Sequence, residues 1–397
     1  TGVEIGTVPD AGRAETRRAI AAAEATFKDF SRTTAAERAG LLHKLADLIL
    51  ENRDDLARLL TEEQGKPLTE AKGEIGMSAA YVRWFAEEAR RVYGEIIPSP
   101  WPDRQLFATR EPVGVVAAIT PWNFPSSMLA RKIAPALAAG CTVVAKPASQ
   151  TPFSGLAWGE LCERAGFPKG AVNIVTGDAR EIGSELCENP AVRKLTFTGS
   201  TQVGKILLAQ AAGTVKKVSM ELGGNAPFIV FDDADLDAAV AGGIAAKFRN
   251  SGQTCVCTNR FYVQDGIHDA FMEKFTEAVE ALRVGNGLDE GVEQGPLIDG
   301  KALEKVEALV ADAEAHGGRV VTGGGRHALG GTFYRPTVIA GANDAMTLAR
   351  EEVFGPVAPV FRFATEDEAI ACANATEFGL AAYFYTRDLG RALRVSR

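Results

Sequence analysis

Histidine is scarce in this chain: the four, His43, His268, His316 and His327, sit in segments without any site-like motif, and His43 falls on a scaffold helix. A cysteine hydrolase needs a histidine to activate its thiol, so that chemistry finds no support. Long apolar runs are missing too. The longest, at 113–119 and 133–145, are broken by Gly114, Pro135 and Gly140, well short of the roughly 20 residues that span a bilayer. Basic residues are in deficit, 43 Lys and Arg against 51 Asp and Glu for a net charge of -8, which removes the broad basic field that nucleic acid or acidic lipid requires. The six cysteines have no spacing framework, which excludes a disulfide scaffold, suggests a reducing compartment and points to the cytoplasm. Repeats and low-complexity segments are also lacking. The remainder is ordinary for a globular protein of two or three domains: 397 residues, 46% hydrophobic and 24% charged.

The chain divides by pattern. Residues 11–94 read as helices; Thr34-x-x-Glu37 is a capping box ahead of Leu41, Leu42, Leu45, Leu48 and Ile49, and Gly65-Lys66-Pro67 supplies a stop. From 96 to 110 the text changes to Pro98, Pro100 and Pro102 with short β-prone pieces. Between 113 and 220, apolar runs such as VGVVAAIT, CTVVAK, AVNIV and KLTFTG alternate with helix-length segments. This is the βαβ rhythm of an open parallel sheet, with a nucleotide expected at the carboxyl ends of its strands. A second α/β segment starts near 227, with helices expected at 235–250, 267–282 and 302–317.

The chemistry centres on FRNSGQTCVCTNR at 248–260. A thiolate adds readily to a carbonyl, and the turn-prone run before Cys255 carries it on a loop. The alternative is a packed cysteine acting as a small hydrophobe; Cys141, in LAAGCTVVA, has that setting, whereas Cys255 has amides, hydroxyls and Gly252 before it. The prolines of Thr120-Pro121-Trp122-Asn123-Phe124-Pro125 fix the backbone around an Asn123 amide able to hold an oxyanion. Met220-Glu221-Leu222-Gly223-Gly224-Asn225 sets a carboxylate beside paired glycines, and Glu221 can serve as a general base if burial raises its pKa towards neutrality. Together these describe acyl transfer through a thioester, without need of a metal. Gly199-Ser200-Thr201-Gln202-Val203-Gly204 follows a strand and precedes a helix, so it can hold a pyrophosphate. Lys205 after Gly204 is reminiscent of a phosphate loop, but Ile206 stands where a nucleoside triphosphatase needs Ser or Thr for magnesium.

PWNFP at 121–125, KPASQTP at 146–152, FTGST at 197–201, ELGGN at 221–225, GQTC at 252–255 and EEVFGP at 351–356 make the chain resemble the aldehyde dehydrogenase superfamily over its whole length, nearest its succinate-semialdehyde branch. The resemblance implies a Rossmann-type cofactor domain at 1–92 and 112–223, a bridging β-hairpin at 93–111 and a second α/β, catalytic domain at 224–397. The hairpin implies a homodimer or homotetramer. Against the family the chain is short at both ends: it starts at Thr1, inside the usual opening strands, and stops before the terminal segment that completes the bridging sheet, and a removed targeting segment is compatible with that start.

The same resemblance implies the catalytic set Cys255, Glu221 and Asn123 and a cofactor lining of Thr120, Pro121, Trp122, Lys146, Ser149, Gly199, Ser200, Leu222, Glu352 and Phe354. In it Lys146 and position 149 face the adenosine ribose, Ser200 and Trp122 the phosphates, and Glu352 and Phe354 the nicotinamide half. Taken singly, Lys146 reads equally as a solvated strand-end lysine, Glu352 as a surface charge and Phe354 as core. A carboxylate at 149 would repel a 2′-phosphate; Ser149 does not, so NADP is expected over NAD. Arg131 and Arg249 match the arginines that hold a substrate carboxylate, the alternative being a salt bridge for each. The expected reaction is oxidation of succinate semialdehyde to succinate, with glutarate semialdehyde or a broad range of aliphatic aldehydes next, and a cysteine hydrolase or a non-catalytic structural protein as remote alternatives. Cys257 either forms a reversible disulfide with Cys255 or packs beneath the loop.

Overall fold

The computed structural model describes residues 2–397, and its contacts divide the chain into two compact units, one of residues 2–64 and 71–222, the other of 65–70 and 223–397. The first unit opens with helices α1 (Arg13–Phe30), α2 (Ala35–Glu51), α3 (Arg53–Gln64) and α4 (Leu68–Ala89), the last entering it at Ala71. At the start of α2 the Thr34 hydroxyl accepts from the Glu37 N–H at 3.2 Å and the Glu37 carboxylate from the Thr34 N–H at 2.7 Å, so the capping box forms. Leu42, Leu45, Ala46 and Ile49 then face inward at helical spacing and are buried. The short strands β1 (Glu95–Ile97) and β2 (Leu106–Ala108) pair antiparallel, and they leave Ile96 79% and Phe107 64% exposed.

Five parallel strands follow: β3 (Val115–Ile119), β4 (Thr142–Lys146), β5 (Val172–Ile174), β6 (Val192–Thr198) and β7 (Lys217–Glu221), with helices α5 (Pro125–Ala138), α6 (Pro152–Ala165), α7 (Ala179–Glu188) and α8 (Thr201–Ala212) between them. Their order is β5-β4-β3-β6-β7. The chain thus winds outward from β3 in one direction and restarts at β6 in the other, and the switch point lies between those two strands. VVAAI and TVVAK in β3 and β4 are buried at every position, as strands covered on both faces must be.

In the second unit, β8 (Ala226–Val230), α9 (Leu236–Phe248), β9 (Thr258–Gln264), α10 (Asp265–Glu280), α11 (Gly300–Ala315), β10 (Arg319–Thr322), β11 (Thr337–Ala340), β12 (Val357–Phe363), α12 (Glu366–Asn374), β13 (Tyr383–Tyr385) and α13 (Leu389–Val395) follow in order. The sheet runs β10-β11-β12-β9-β8-β13, with β10 antiparallel at one edge and the rest parallel. Phe228, Phe261, Phe271 and Phe275 fill one face, with the rings of Phe271 and Phe275 stacked at 5.1 Å. No helix among the described residues is long and apolar enough to cross a membrane.

Candidate active site

The first unit collects its candidate residues at the carboxyl ends of its strands. Thr120, Pro121, Trp122 and Asn123 follow β3, Ser149 follows β4, Gly199 and Ser200 follow β6, and Lys146 and Glu221 are the last residues of β4 and β7. Two of these loops flank the switch point, where an open α/β sheet leaves a crevice for a ligand. Asn123 is 4% exposed. The Lys146 amine is buried, which lowers its pKa, while Asp178 opposes that shift; it donates to the Pro147 carbonyl at 2.9 Å and reaches the Ser149 hydroxyl at 3.4 Å. Ser149 itself is exposed. Lys146 is therefore not a solvated strand-end lysine.

Ser200 caps α8, its hydroxyl accepting from the Val203 N–H at 3.3 Å, so the positive end of the helix dipole lies at 199–201. Gly204 is needed because a Cβ there would stand 2.5 Å from Leu222, which brings the first turn of α8 against the residue after β7. A basic amine beside an exposed hydroxyl, together with the N-terminus of α8, suits a dinucleotide that carries an extra phosphate on its adenosine ribose.

Glu221 is exposed at the end of β7. Arg131 is exposed, with its guanidinium 4.7 Å over the Tyr81 ring and donating to the Tyr81 hydroxyl. Its neighbour Lys132, which sequence reading passed over, is 6% exposed, donates to Thr196 at 3.1 Å and is pushed down to about 8 by burial, with the Glu221 carboxylate pulling the other way. The inward helical spacing of Lys132 with Leu129 and Ala136 was the available signal.

The second unit builds the nucleophile loop. Asn250 and Ser251 have φ of 53° and 54°, and Gly252 has φ of 73°, three left-handed residues in a row between α9 and Cys255. Residues 250–254 are polar yet buried, and their groups are satisfied locally. The Asn250 N–H donates to the Glu70 carboxylate at 2.9 Å, the Ser251 hydroxyl to the Gly295 carbonyl at 2.9 Å, and the Gln253 amide takes the Ile298 N–H at 2.9 Å. A Cβ at Gly252 would fall 2.1 Å from the Gly355 carbonyl oxygen, so only glycine lets this loop meet the VFGP segment. Cys255 emerges from this frame partly exposed.

Cys257 turns the other way: buried, with its thiol donating to the Lys247 carbonyl at 3.0 Å and pushed up by burial. That arrangement is packing beneath the loop. Glu352 is half-buried and accepts from the Gly224 N–H at 3.0 Å, and burial raises its carboxyl. It is not a loose surface charge. Phe354 holds a φ of 53°, and Arg249 is exposed at the C-cap of α9. The histidines are occupied elsewhere, His43 with Glu87 at 2.9 Å, His268 with Asp269 at 3.0 Å and His316 with Asp312 at 3.3 Å. No group of three His, Cys, Asp or Glu suited to a metal ion occurs among the described residues.

Comparison with known proteins agrees with this geometry. The sequence pattern of the Aldehyde dehydrogenase family matches residues 1–397. The chain is 61% identical to a 3-sulfolactaldehyde dehydrogenase of Pseudomonas putida, over 100% of this chain and 82% of that protein. It is 58% identical to the NADP(+) succinate-semialdehyde dehydrogenase of Escherichia coli strain K12, over 99% and 82%. The crystal structure of succinate-semialdehyde dehydrogenase from Burkholderia pseudomallei superposes with a TM-score of 0.99 at 58% identity, covering 100% of this chain and 82% of that one. The chain belongs to the aldehyde dehydrogenase family and is an NAD(P)-dependent aldehyde dehydrogenase.

Proposed function

We propose that the enzyme oxidises succinate semialdehyde to succinate with NADP. The observation that carries the substrate class is the company it keeps: the similar enzymes act, by name, on succinate semialdehyde, on glutarate semialdehyde at 60% identity in Pseudomonas aeruginosa, and on 3-sulfolactaldehyde, all aldehydes with an anion at the far end. Arg249, exposed six residues before Cys255, supplies a cation for that anion, and Arg131, oriented by Tyr81, is the second candidate. The exposed Ser149 beside the Lys146 amine, where a carboxylate would repel a 2′-phosphate, supports NADP over NAD.

The mechanism follows from the residues. The Cys255 thiolate adds to the aldehyde carbon, and the oxyanion of the thiohemiacetal accepts hydrogen bonds from the Asn123 amide and the Cys255 backbone N–H. When bound, the dinucleotide would supply the hydride acceptor, with Lys146 and Ser149 at its adenosine ribose, Ser200 and Trp122 at its phosphates and Glu352 and Phe354 at its nicotinamide half. Glu221 takes a proton from the water that hydrolyses the resulting thioester, releasing the acid and the free thiol. The exposed hairpin of β1 and β2, with Ile96 and Phe107 in the open, supports assembly as a homodimer or homotetramer. The six free cysteines support a cytoplasmic enzyme.

A steady-state panel of succinate semialdehyde, glutarate semialdehyde, 3-sulfolactaldehyde and an uncharged four-carbon aldehyde, each with NADP and NAD, tests the reading. Succinate semialdehyde with NADP is expected to give the highest kcat/KM. In Arg249→Ala the Michaelis constant for the anionic substrate should rise by about 10- to 100-fold, the loss of one charge-assisted contact, and hardly move for the uncharged one. Equal effects on both would sink the assignment.

A further inference from the structure

Helices α5 and α6 begin in the same unusual way. Each starts with a proline, Pro125 and Pro152, and each has an N-cap residue, Phe124 and Thr151, that makes no side-chain cap. Thr151 is fully buried and its hydroxyl has no hydrogen-bond partner. The first N–H groups these helices present are therefore orphaned by their own sequence. Both pairs are taken by a glutamate from far away in the chain. The Glu74 carboxylate, on α4 and 3% exposed, accepts from the Ser126 and Ser127 N–H through one oxygen, Oε1, at 2.9 and 3.1 Å. Glu63, on α3, uses both oxygens, Oε2 accepting from the Phe153 N–H at 2.9 Å and Oε1 from the Ser154 N–H at 2.8 Å.

These two helices are the ones that leave the site loops. Asn123 lies three residues before Ser126, and Lys146 and Ser149 lie in the segment that runs into Phe153. An Asx or Ser cap at the usual position would turn a loop side chain back onto its own helix; a cap supplied from outside fixes where each loop ends without using a side chain of the loop. Gly155 adds to the second clamp, since a Cβ there would sit 2.6 Å from Pro147, so α6 packs directly on the start of its loop. Burial pushes Glu63 up to about 7 against the pull of its two N–H donors, and the nearby Glu74 adds to the rise; such a placement is costly and calls for a return. The second unit repeats the device, with Glu70 accepting from Asn250 in the nucleophile loop.

We infer that Glu74 and Glu63 are positioning residues with separate tasks: Glu74 sets the loop that aims the Asn123 amide, and Glu63 sets the loop that presents Lys146 and Ser149. The assignment of tasks rests on the proposed roles of those loops. A purely structural cap would lower stability and leave the kinetics of the folded enzyme uniform.

The test uses Glu74→Leu and Glu63→Leu in the full chain, with kcat, the KM for NADP and amide hydrogen exchange read by mass spectrometry. Glu74→Leu should lower kcat on the order of 10- to 100-fold, the effect of a small misplacement, with the KM for NADP held within about twofold. Glu63→Leu should raise the KM for NADP about tenfold with kcat nearly kept. Exchange should quicken at 120–130 only in the first variant and at 146–156 only in the second. Glu74→Gln retains an oxygen able to accept from the Ser126 and Ser127 N–H groups, and Glu63→Gln one of its two N–H contacts, so each should lose less than its leucine variant and in the same parameter, kcat for Glu74 and the KM for NADP for Glu63. Matching losses in kcat and KM for the two sites, or unchanged exchange, overturn the inference. Should a leucine variant fail to fold, the two glutamine variants still decide it, since the inference requires their residual losses to fall in different parameters, kcat for Glu74 and the KM for NADP for Glu63. A wild type inactive towards every aldehyde of the panel would instead refute the proposed function, and the exchange data would still report on the clamps.

Discussion

Residues 250–254 of the second unit are all buried, and their polar groups are turned inward onto Glu70, Gly295 and Ile298; residues 149, 150 and 200 of the first unit stand exposed. Both regions are irregular backbone joining strand and helix, and both are rich in Ser, Thr, Gln and Gly. The difference follows from what each must meet. A nucleophilic sulfur has to arrive in one direction, so its loop is locked by left-handed residues and internal amides. The loops that follow β4 and β6 keep Ser149, Gln150 and Ser200 outward, and the first of them is clamped at its end by Glu63.

This contrast can be broken by substitution. The largest effect is expected at Asn123→Ala, whose loss of an oxyanion donor should reduce kcat by about 100- to 1000-fold, read from the growth of NADPH absorbance; a loss below about tenfold would remove Asn123 from that role. Gly252→Ala should come next. Its Cβ meets the Gly355 carbonyl at 2.1 Å with φ at 73°, and urea unfolding should report a loss of about 3 kcal/mol, against less than about 0.5 kcal/mol for Ser149→Ala in the exposed loop. Similar costs at the two positions would mean the loops are not held differently. Ser149→Glu, placing a carboxylate opposite the 2′-phosphate, should move the ratio of kcat/KM values towards NAD by roughly tenfold or more with little change in stability; a wild type that already prefers NAD severalfold contradicts the reading of this position. The smallest effect belongs to Cys257→Ala. With its thiol packed on the Lys247 carbonyl, the variant should retain activity, lose about 1 kcal/mol, and recover from peroxide with dithiothreitol as the wild type does. Failure of the variant to recover would instead establish a Cys255–Cys257 disulfide.

Much of this molecule was legible in the chain. Alternating apolar runs and helix-length segments led to the parallel sheet of β3 to β7, and Thr34-x-x-Glu37 to the start of α2, because hydrophobic period and capping are local properties. The motifs singled out Cys255, Asn123 and Glu221 from their neighbours in the chain, and the resemblance to the family added Ser149. Lys132 went unseen because which face of α5 turns inward depends on what covers it, and Tyr81 as the seat of Arg131 because a partner 50 residues away leaves no periodic trace. Glu221 read as a group awaiting burial and stands exposed, since the solvent access of a strand's last residue is set by neighbours that its own sequence does not name.

By itself the sequence determined the family and the order of strands and helices, both of which are carried by near neighbours in the chain. Only the tertiary structure decided that 250–254 is a buried polar frame, that Cys257 packs on the Lys247 carbonyl, and that Glu63, Glu70 and Glu74 hold the backbone of segments 90, 180 and 52 residues distant. A backbone N–H accepts any carboxylate brought to it, so no residue in the loop records which one arrives; folding chooses the partner, and the sequence at either end looks the same without it.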